Sequence, residues 1–230
     1  MRLYSIYQAM EDSAKCCPEN ETVKLFLRHS IRFDIPEDDI TKDVSLTPEG
    51  RQMARRFGAS LGRTPVTASA SLSSRCIETA ELILAGYVSA NPDVSLPSVK
   101  GTPILQSSYI SDHDLCMNSF MSLGPHRIID AYMQDRDIPG FHALERSVDP
   151  LLDFIFSQEN NVSGPDSGLE LFVSHDFQIA MMLVSFFGSL PETPEYHMSS
   201  WPHMLEGLFL WGGRDRFHAA WRGRVRDIRS

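Results

Sequence analysis

The chain has 230 residues, 42% apolar and 22% charged, which suits one soluble globular domain with a full hydrophobic core. Its formal net charge of −9 argues against a general nucleic-acid binder, though an acidic protein can still hold a local positive pocket for a small anion. No apolar run reaches the length of a membrane span, and the N-terminal Met1-Arg2-Leu3-Tyr4-Ser5-Ile6 lacks the apolar core of a secretion signal. Cys16 and Cys17 are adjacent and have no second cysteine pair, so a zinc site is not expected, and with Cys76 and Cys116 they read as reduced thiols. The expectation is a cytoplasmic protein spanning 1–230 as one domain, without metal, cofactor, membrane or nucleic-acid partner.

Residues 1–20 read as a short helix and a polar connector, and Val23 to Leu27 as the first strand. The strand runs into Arg28-His29-Ser30-Ile31-Arg32, and an acidic loop follows from Ile35 to Val44. Leu46-Thr47-Pro48-Glu49-Gly50 is a helix start, because Thr47 can cap and Pro48 suits the first helical position. Met53, Phe57 and Leu61 recur every four residues as its buried stripe, with Gly62 as the stop. Val66 to Ser71 reads as a second strand, Ser73-Ser74 opens a helix running to Gly86, and Thr102 to Leu105 suggests a third strand. The middle, 106–140, reads as an irregular lid or insertion with a helix near Ile128 to Met133.

A longer helix is expected from Phe141 to Phe156, then a loop from Asn160 to Gly168, a strand from Leu169 to Val173, and an apolar helix from Phe177 to Phe187. Leu205 to Trp211 and Phe217 to Val225 resemble a hairpin around Gly212-Gly213. Strands alternating with helices predict a three-layer α/β/α sandwich with a mainly parallel sheet and a C-terminal edge hairpin.

Three strand ends carry unusual residues: Arg28, His29 and Arg32; then Ser74-Arg75; then Ser174-His175-Asp176. In a parallel sheet these tips share one edge, so three guanidinium groups, two imidazoles and one carboxylate can converge there. That set suits phosphomonoester chemistry. Fixed cations stabilise the charge on a transferring phosphoryl group, one imidazole can attack phosphorus, and the carboxyl can protonate the leaving oxygen. The partner expected is a small phosphorylated metabolite.

The pattern resembles the histidine phosphatase superfamily, with its phosphoglycerate mutase-like fold. The motifs are Arg28-His29-Ser30 where the family has Arg-His-Gly, Leu46-Thr47-Pro48-Glu49-Gly50, Ser73-Ser74-Arg75-Cys76-Ile77-Glu78-Thr79-Ala80, and His175 after the last parallel strand. The resemblance implies a phosphohistidine on His29, and a phosphoryl grip by Arg28, Arg32, Arg75 and His175. It implies Asp176 as proton donor, since His-Asp at this place resembles the acid phosphatase and phytase branch. The mutase-type branch takes its acid from the segment after the second helix, which makes Asp112 the rival donor. Ser30, where glycine is the rule, would tighten the pocket or add a hydroxyl to it.

Two other functions fit the same residues: a phosphomutase of this fold, and a non-catalytic phospho-ligand binder or interaction protein. His113, His126 and His142 read as surface or core histidines, and His197 and His203, flanking Trp201-Pro202, as ordinary loop residues. Glu37, Asp38 and Asp39 would disfavour highly charged substrates. The arginine-rich tail after Arg214 reads as an edge strand whose charges discourage aggregation.

Overall fold

Val23–Arg28 forms β1, buried almost throughout, and its two pleat faces feed two separate cores. Leu25 and Leu27 face one side with Leu171 and Val173, while Phe26 faces the other with Phe172. A strand that buries both faces needs helices above and below it, which is the three-layer arrangement. The molecule, described here from a computed structural model, is followed over residues 2–36, 42–157, 168–192 and 194–229.

The remaining strands are β2 (Pro65–Ala70), β3 (Lys100–Gly101), β4 (Leu169–Ser174), β5 (Gly207–Gly213), β6 (Arg216–Trp221) and β7 (Arg224–Arg229). Their order in the sheet is β3-β2-β4-β1-β5-β6-β7. The helices are α1 (Arg2–Lys15), α2 (Pro48–Ala59), α3 (Ser74–Ala90), α4 (Ile104–Ser107), α5 (His113–Met133), α6 (Leu144–Ser157) and α7 (Asp176–Phe187). Residues of α1, α2 and α3 pack in one core and residues of α4, α5, α6 and α7 in the other, on opposite faces of the sheet.

The expectation of a mainly parallel sheet is met only in part. Only β3, β2, β4 and β1 run parallel, and β5, β6 and β7 continue as an antiparallel meander. The hairpin gains β7 because Arg222 and Gly223 both take positive φ, 48° and 72°, which closes a second two-residue turn. The third strand is Lys100–Gly101 rather than Thr102–Leu105, since Pro103 instead begins the helical turn of α4. The middle region is largely helical: α5 is broken at Gly124 (φ 75°) and restarts at Pro125, a pair that reads in sequence as a turn. The helix expected from Phe141 starts at Leu144, and Phe141 instead bridges to Ile110.

Gly86 does not stop α3. A Cβ there would lie 2.0 Å from the Arg55 carbonyl oxygen, so this glycine lets α3 pass close against α2, and the helix runs on to Ala90. Likewise α2 ends at Ala59, ahead of Gly62. Thr47 caps α2 as expected, its hydroxyl accepting from the Gly50 N–H at 3.0 Å. Residues 37–41 of the acidic loop, including Glu37, Asp38 and Asp39, and residues 160–167 of the later loop lie outside the described residues.

Candidate active site

The ladder between β1, β4 and β2 continues one bond past the strand ends. The His29 N–H donates to the Ser174 carbonyl at 3.0 Å, and the Ser71 N–H to the Val173 carbonyl at 2.9 Å. These bonds hold Ser71, His29 and His175 side by side at the carboxyl edge of the parallel half. The rings of His29 and His175 meet edge to face with centroids 5.6 Å apart.

His29 is 2% exposed, and its Nδ1 lies 2.7 Å from the Ser30 carbonyl oxygen. A carbonyl only accepts, so Nδ1 carries the proton and Nε2 is left as a free base. Burial, then the fields of His175 and Arg28, hold the His29 imidazolium well below its usual range. His29 is therefore neutral at neutral pH, the state a nucleophile needs. His175 is fixed in the complementary way. Its Nδ1 faces the Arg75 guanidinium at 3.4 Å, which can only donate, so Nε2–H points to the Ser71 hydroxyl at 2.9 Å. Burial first and Arg75 second push its pKa down to about 3.

Arg28 and Arg75 lie against this pair, and burial together with their mutual repulsion lowers the Arg28 guanidinium. Arg32 donates to the Phe33 carbonyl at 2.7 Å, and its own guanidinium is lowered by burial and then by the fields of Arg75 and Arg28. Three crowded cations around two neutral imidazoles form a well for an anion. The buried Nε–H groups of Arg28 and Arg75 have no hydrogen-bond partner among the described residues, so both retain donor capacity for a ligand.

Two carboxylates sit beside these arginines. Asp176, the first residue of α7, accepts from Arg28 at 2.8 Å and from the Trp201 indole N–H at 3.0 Å, both on Oδ2, while its Oδ1 accepts from the Phe177 N–H at 2.9 Å. Burial alone would raise its pKa, but Arg28, Trp201 and His175 outweigh that and hold it below the ordinary carboxylate value. Asp43 bonds Arg75 at 3.0 Å and the Ser74 N–H at 2.8 Å, serving α3 as the cap that Ser73 does not supply.

Of the residues expected from sequence, Arg28, His29, Arg75, His175 and Asp176 come together, with Arg32 within their field. Asp112 does not join them. It is exposed and caps α5, accepting from the Leu115 N–H at 3.0 Å. Ser30 also differs from expectation. It is fully buried without positive φ, its hydroxyl donates to the Gly50 carbonyl at 2.7 Å, and its N–H donates to the Thr79 hydroxyl at 3.1 Å. Gly50 must itself be glycine, because a Cβ there would lie 2.0 Å from the Ile31 carbonyl oxygen. The Ser30 hydroxyl thus ties the His29 segment to α2 and contributes nothing to the pocket. Ser30→Gly is expected to cost about 1–2 kcal/mol in denaturant unfolding while kcat stays within about twofold, since one hydrogen bond and some backbone order are lost.

Asp43, Ser71 and Trp201 were not singled out from sequence. Ser71 lies four residues before Arg75 and Asp43 lies in the acidic loop four residues before Thr47, so both could have been found as neighbours of the motifs. Trp201 carries no motif at all. A pocket of about 380 Å³ lined by Tyr7, Met10, Phe57, Leu61 and Leu169 lies at the opposite, amino end of β4, away from this chemistry.

Residues 37–94 match the model of the histidine phosphatase superfamily (branch 1), a segment holding both the Thr47–Gly50 and Ser73–Ala80 motifs. No curated protein matches the chain. Among solved structures, phosphoglycerate mutase from Bacillus anthracis is 14% identical, covering 92% of this chain and 94% of its own, with a TM-score of 0.55. The mycobacterial glucosyl-3-phosphoglycerate phosphatase is 17% identical over 88% of this chain and 99% of its own, with a TM-score of 0.54. A mycobacterial hydrolase is 18% identical over 91% and 96%, with a TM-score of 0.51. The fold is phosphoglycerate mutase-like. The resemblance to the histidine phosphatase superfamily holds in the matched segment, and the solved structures share the fold. The matched model is that of branch 1 and His175-Asp176 lies outside the matched segment, so the likeness of that pair to the acid phosphatase and phytase branch is not confirmed. Among the described residues, no helix is long and apolar enough to cross a membrane, and no group of three or more His, Cys, Asp or Glu is placed to hold a metal ion.

Proposed function

We propose that this protein is a metal-independent, cytoplasmic phosphatase that hydrolyses a small phosphomonoester through a phosphohistidine on His29. The observation that carries the proposal is the free Nε2 of a neutral His29 set among Arg28, Arg32, Arg75 and His175. The arginines would bind the phosphoryl oxygens, and three cations with an imidazole supply the charge stabilisation that other phosphatases draw from metal ions. Nε2 attacks phosphorus, the N–P bond forms as the P–O ester bond breaks, and the leaving alkoxide takes a proton from Asp176. A water then attacks the phosphohistidine and gives its proton to the Asp176 carboxylate; the new P–O bond forms as the N–P bond breaks, its electron pair returns to Nε2, and inorganic phosphate leaves.

In the resting site Asp176 is ionised and paired with Arg28. A bound phosphoryl group competes for Arg28 and adds negative charge nearby. Both effects raise the proton affinity of Asp176, so the acid becomes loaded when substrate is present. Phosphate release from 4-nitrophenyl phosphate in the presence of chelator tests the reading. Release that survives chelation is expected. No release by wild type would overturn the phosphatase, and loss on chelation would overturn metal independence.

A further inference from the structure

The loop from Ser199 to Glu206 contains the indole that reaches Asp176, and the surroundings of that indole are built with unusual redundancy. Trp201 Nε1–H donates to Asp176 Oδ2 at 3.0 Å, alongside Arg28 at 2.8 Å. One face of the ring meets His126 from the second half of α5, with centroids 4.2 Å apart. From below, the fully buried guanidinium of Arg222 donates to the carbonyls of Ser199 at 2.9 Å and Trp201 at 3.3 Å. Arg222 also forks onto the buried Glu206 carboxylate at 2.6 and 2.9 Å. Glu206 in turn accepts from the His203 N–H, and its carbonyl takes the Arg28 N–H at 3.0 Å. A buried, bidentate ion pair of this kind is costly to desolvate and is most useful where it fixes one geometry. What it fixes here is the backbone of Trp201.

We propose that Trp201 is a positioning residue for the general acid, its indole N–H holding Asp176 Oδ2 while Arg28 is drawn to the substrate. This rests on the phosphatase reading with Asp176 as donor. Arg28 is shared between carboxylate and ligand, so a second donor is needed to keep the carboxyl aimed once Arg28 moves its bonds. Trp201 supplies one that carries no charge to draw it to phosphate. His126 and Arg222 bear on Asp176 through Trp201, while Glu206 also holds the Arg28 backbone N–H.

Trp201→Phe removes the N–H and keeps a ring for His126 to stack on. The ratio of kcat on 4-nitrophenyl phosphate to kcat on a simple alkyl phosphate is expected to rise about tenfold, since only the poor leaving group depends on an aimed acid. The increase should vanish in an Asp176→Asn background. Independently of turnover, the Asp176 carboxyl, followed by carbon NMR in labelled protein, is expected to titrate at higher pH in Trp201→Phe. An unchanged ratio, or a titration that does not move, overturns the proposal. Failure of the phosphatase reading shows itself differently, as absent phosphate release by wild type or turnover surviving in His29→Ala. The titration then still decides whether Trp201 holds the carboxylate.

Discussion

His29→Ala is expected to lower turnover of 4-nitrophenyl phosphate by at least about 10³-fold, because it removes the atom that forms the new bond to phosphorus. The size of the loss follows from how narrowly the site is set. Nδ1 is committed to the Ser30 carbonyl, so Nε2 is the only basic atom of this ring. His175 cannot replace it, since its Nε2–H is committed to Ser71 and its Nδ1 faces Arg75. The accompanying measurement is direct: wild type quenched during turnover should carry an acid-labile, alkali-stable phosphoryl group, and His29→Ala should carry none. A variant that keeps both turnover and the label would place the nucleophile elsewhere. The depressed pKa of His29 adds a sign. A neutral nucleophile persists below pH 6.5, so turnover of a good leaving group should not fall as pH drops through that value.

Asp176→Asn should slow alkyl phosphates by about 10²- to 10³-fold and 4-nitrophenyl phosphate by less than about tenfold, the difference being the proton that only the alkoxide needs. The pH dependence follows from the protonation state. Asp176 must hold a proton to donate it, and Arg28, Trp201 and His175 work against that in the resting site. Alkyl phosphate turnover should therefore fall as pH rises, with the midpoint above the resting pKa because bound phosphate draws Arg28 away. In Asp176→Asn that fall should be absent. Asp112→Asn is the matched comparison. Asparagine caps helices about as well as aspartate, so little change is expected on either substrate. A selective loss on alkyl phosphates in Asp112→Asn would move the donor to α5.

The parts of this site that could be read from the chain are those borne by periodic elements. Arg28-His29 and His175-Asp176 each follow a short apolar run, and Arg75 sits in the first turn of a capped helix, so their shared edge follows from strand polarity alone. Ser30 was legible only as a departure from a pattern. Its hydroxyl points at α2, which becomes visible only when Gly50 is seen pressed against Ile31. Trp201 was illegible for a different reason. Its partners Asp176, His126 and Arg222 are scattered through the chain, and the loop between α7 and β5 has no periodicity to betray them. In the antiparallel half the hairpin was legible, but β7 was not, because it is mostly exposed and alternates no clear apolar face, and α5 was not because Gly124-Pro125 punctuates a helix that resumes immediately.

The position of β1 in the sheet bears on how the chain acquires its chemistry. β1 is the first strand to be synthesised, yet its two neighbours are β4 and β5, from residues 169–174 and 207–213. Closing such distant pairs is slow compared with forming local helices. A nascent chain can therefore form α2, β2 and α3 while β1 still has both edges open. Its histidine remains outside any pocket until Ser174 takes the His29 N–H and Glu206 takes that of Arg28. Open edges of this kind are where a growing chain is most exposed to mispairing and where chaperones have most to do. The proposed nucleophile is thus laid down early and set in place late, and a ribosome-bound fragment lacking β4 and β5 has the residues of the motif without the assembled pocket.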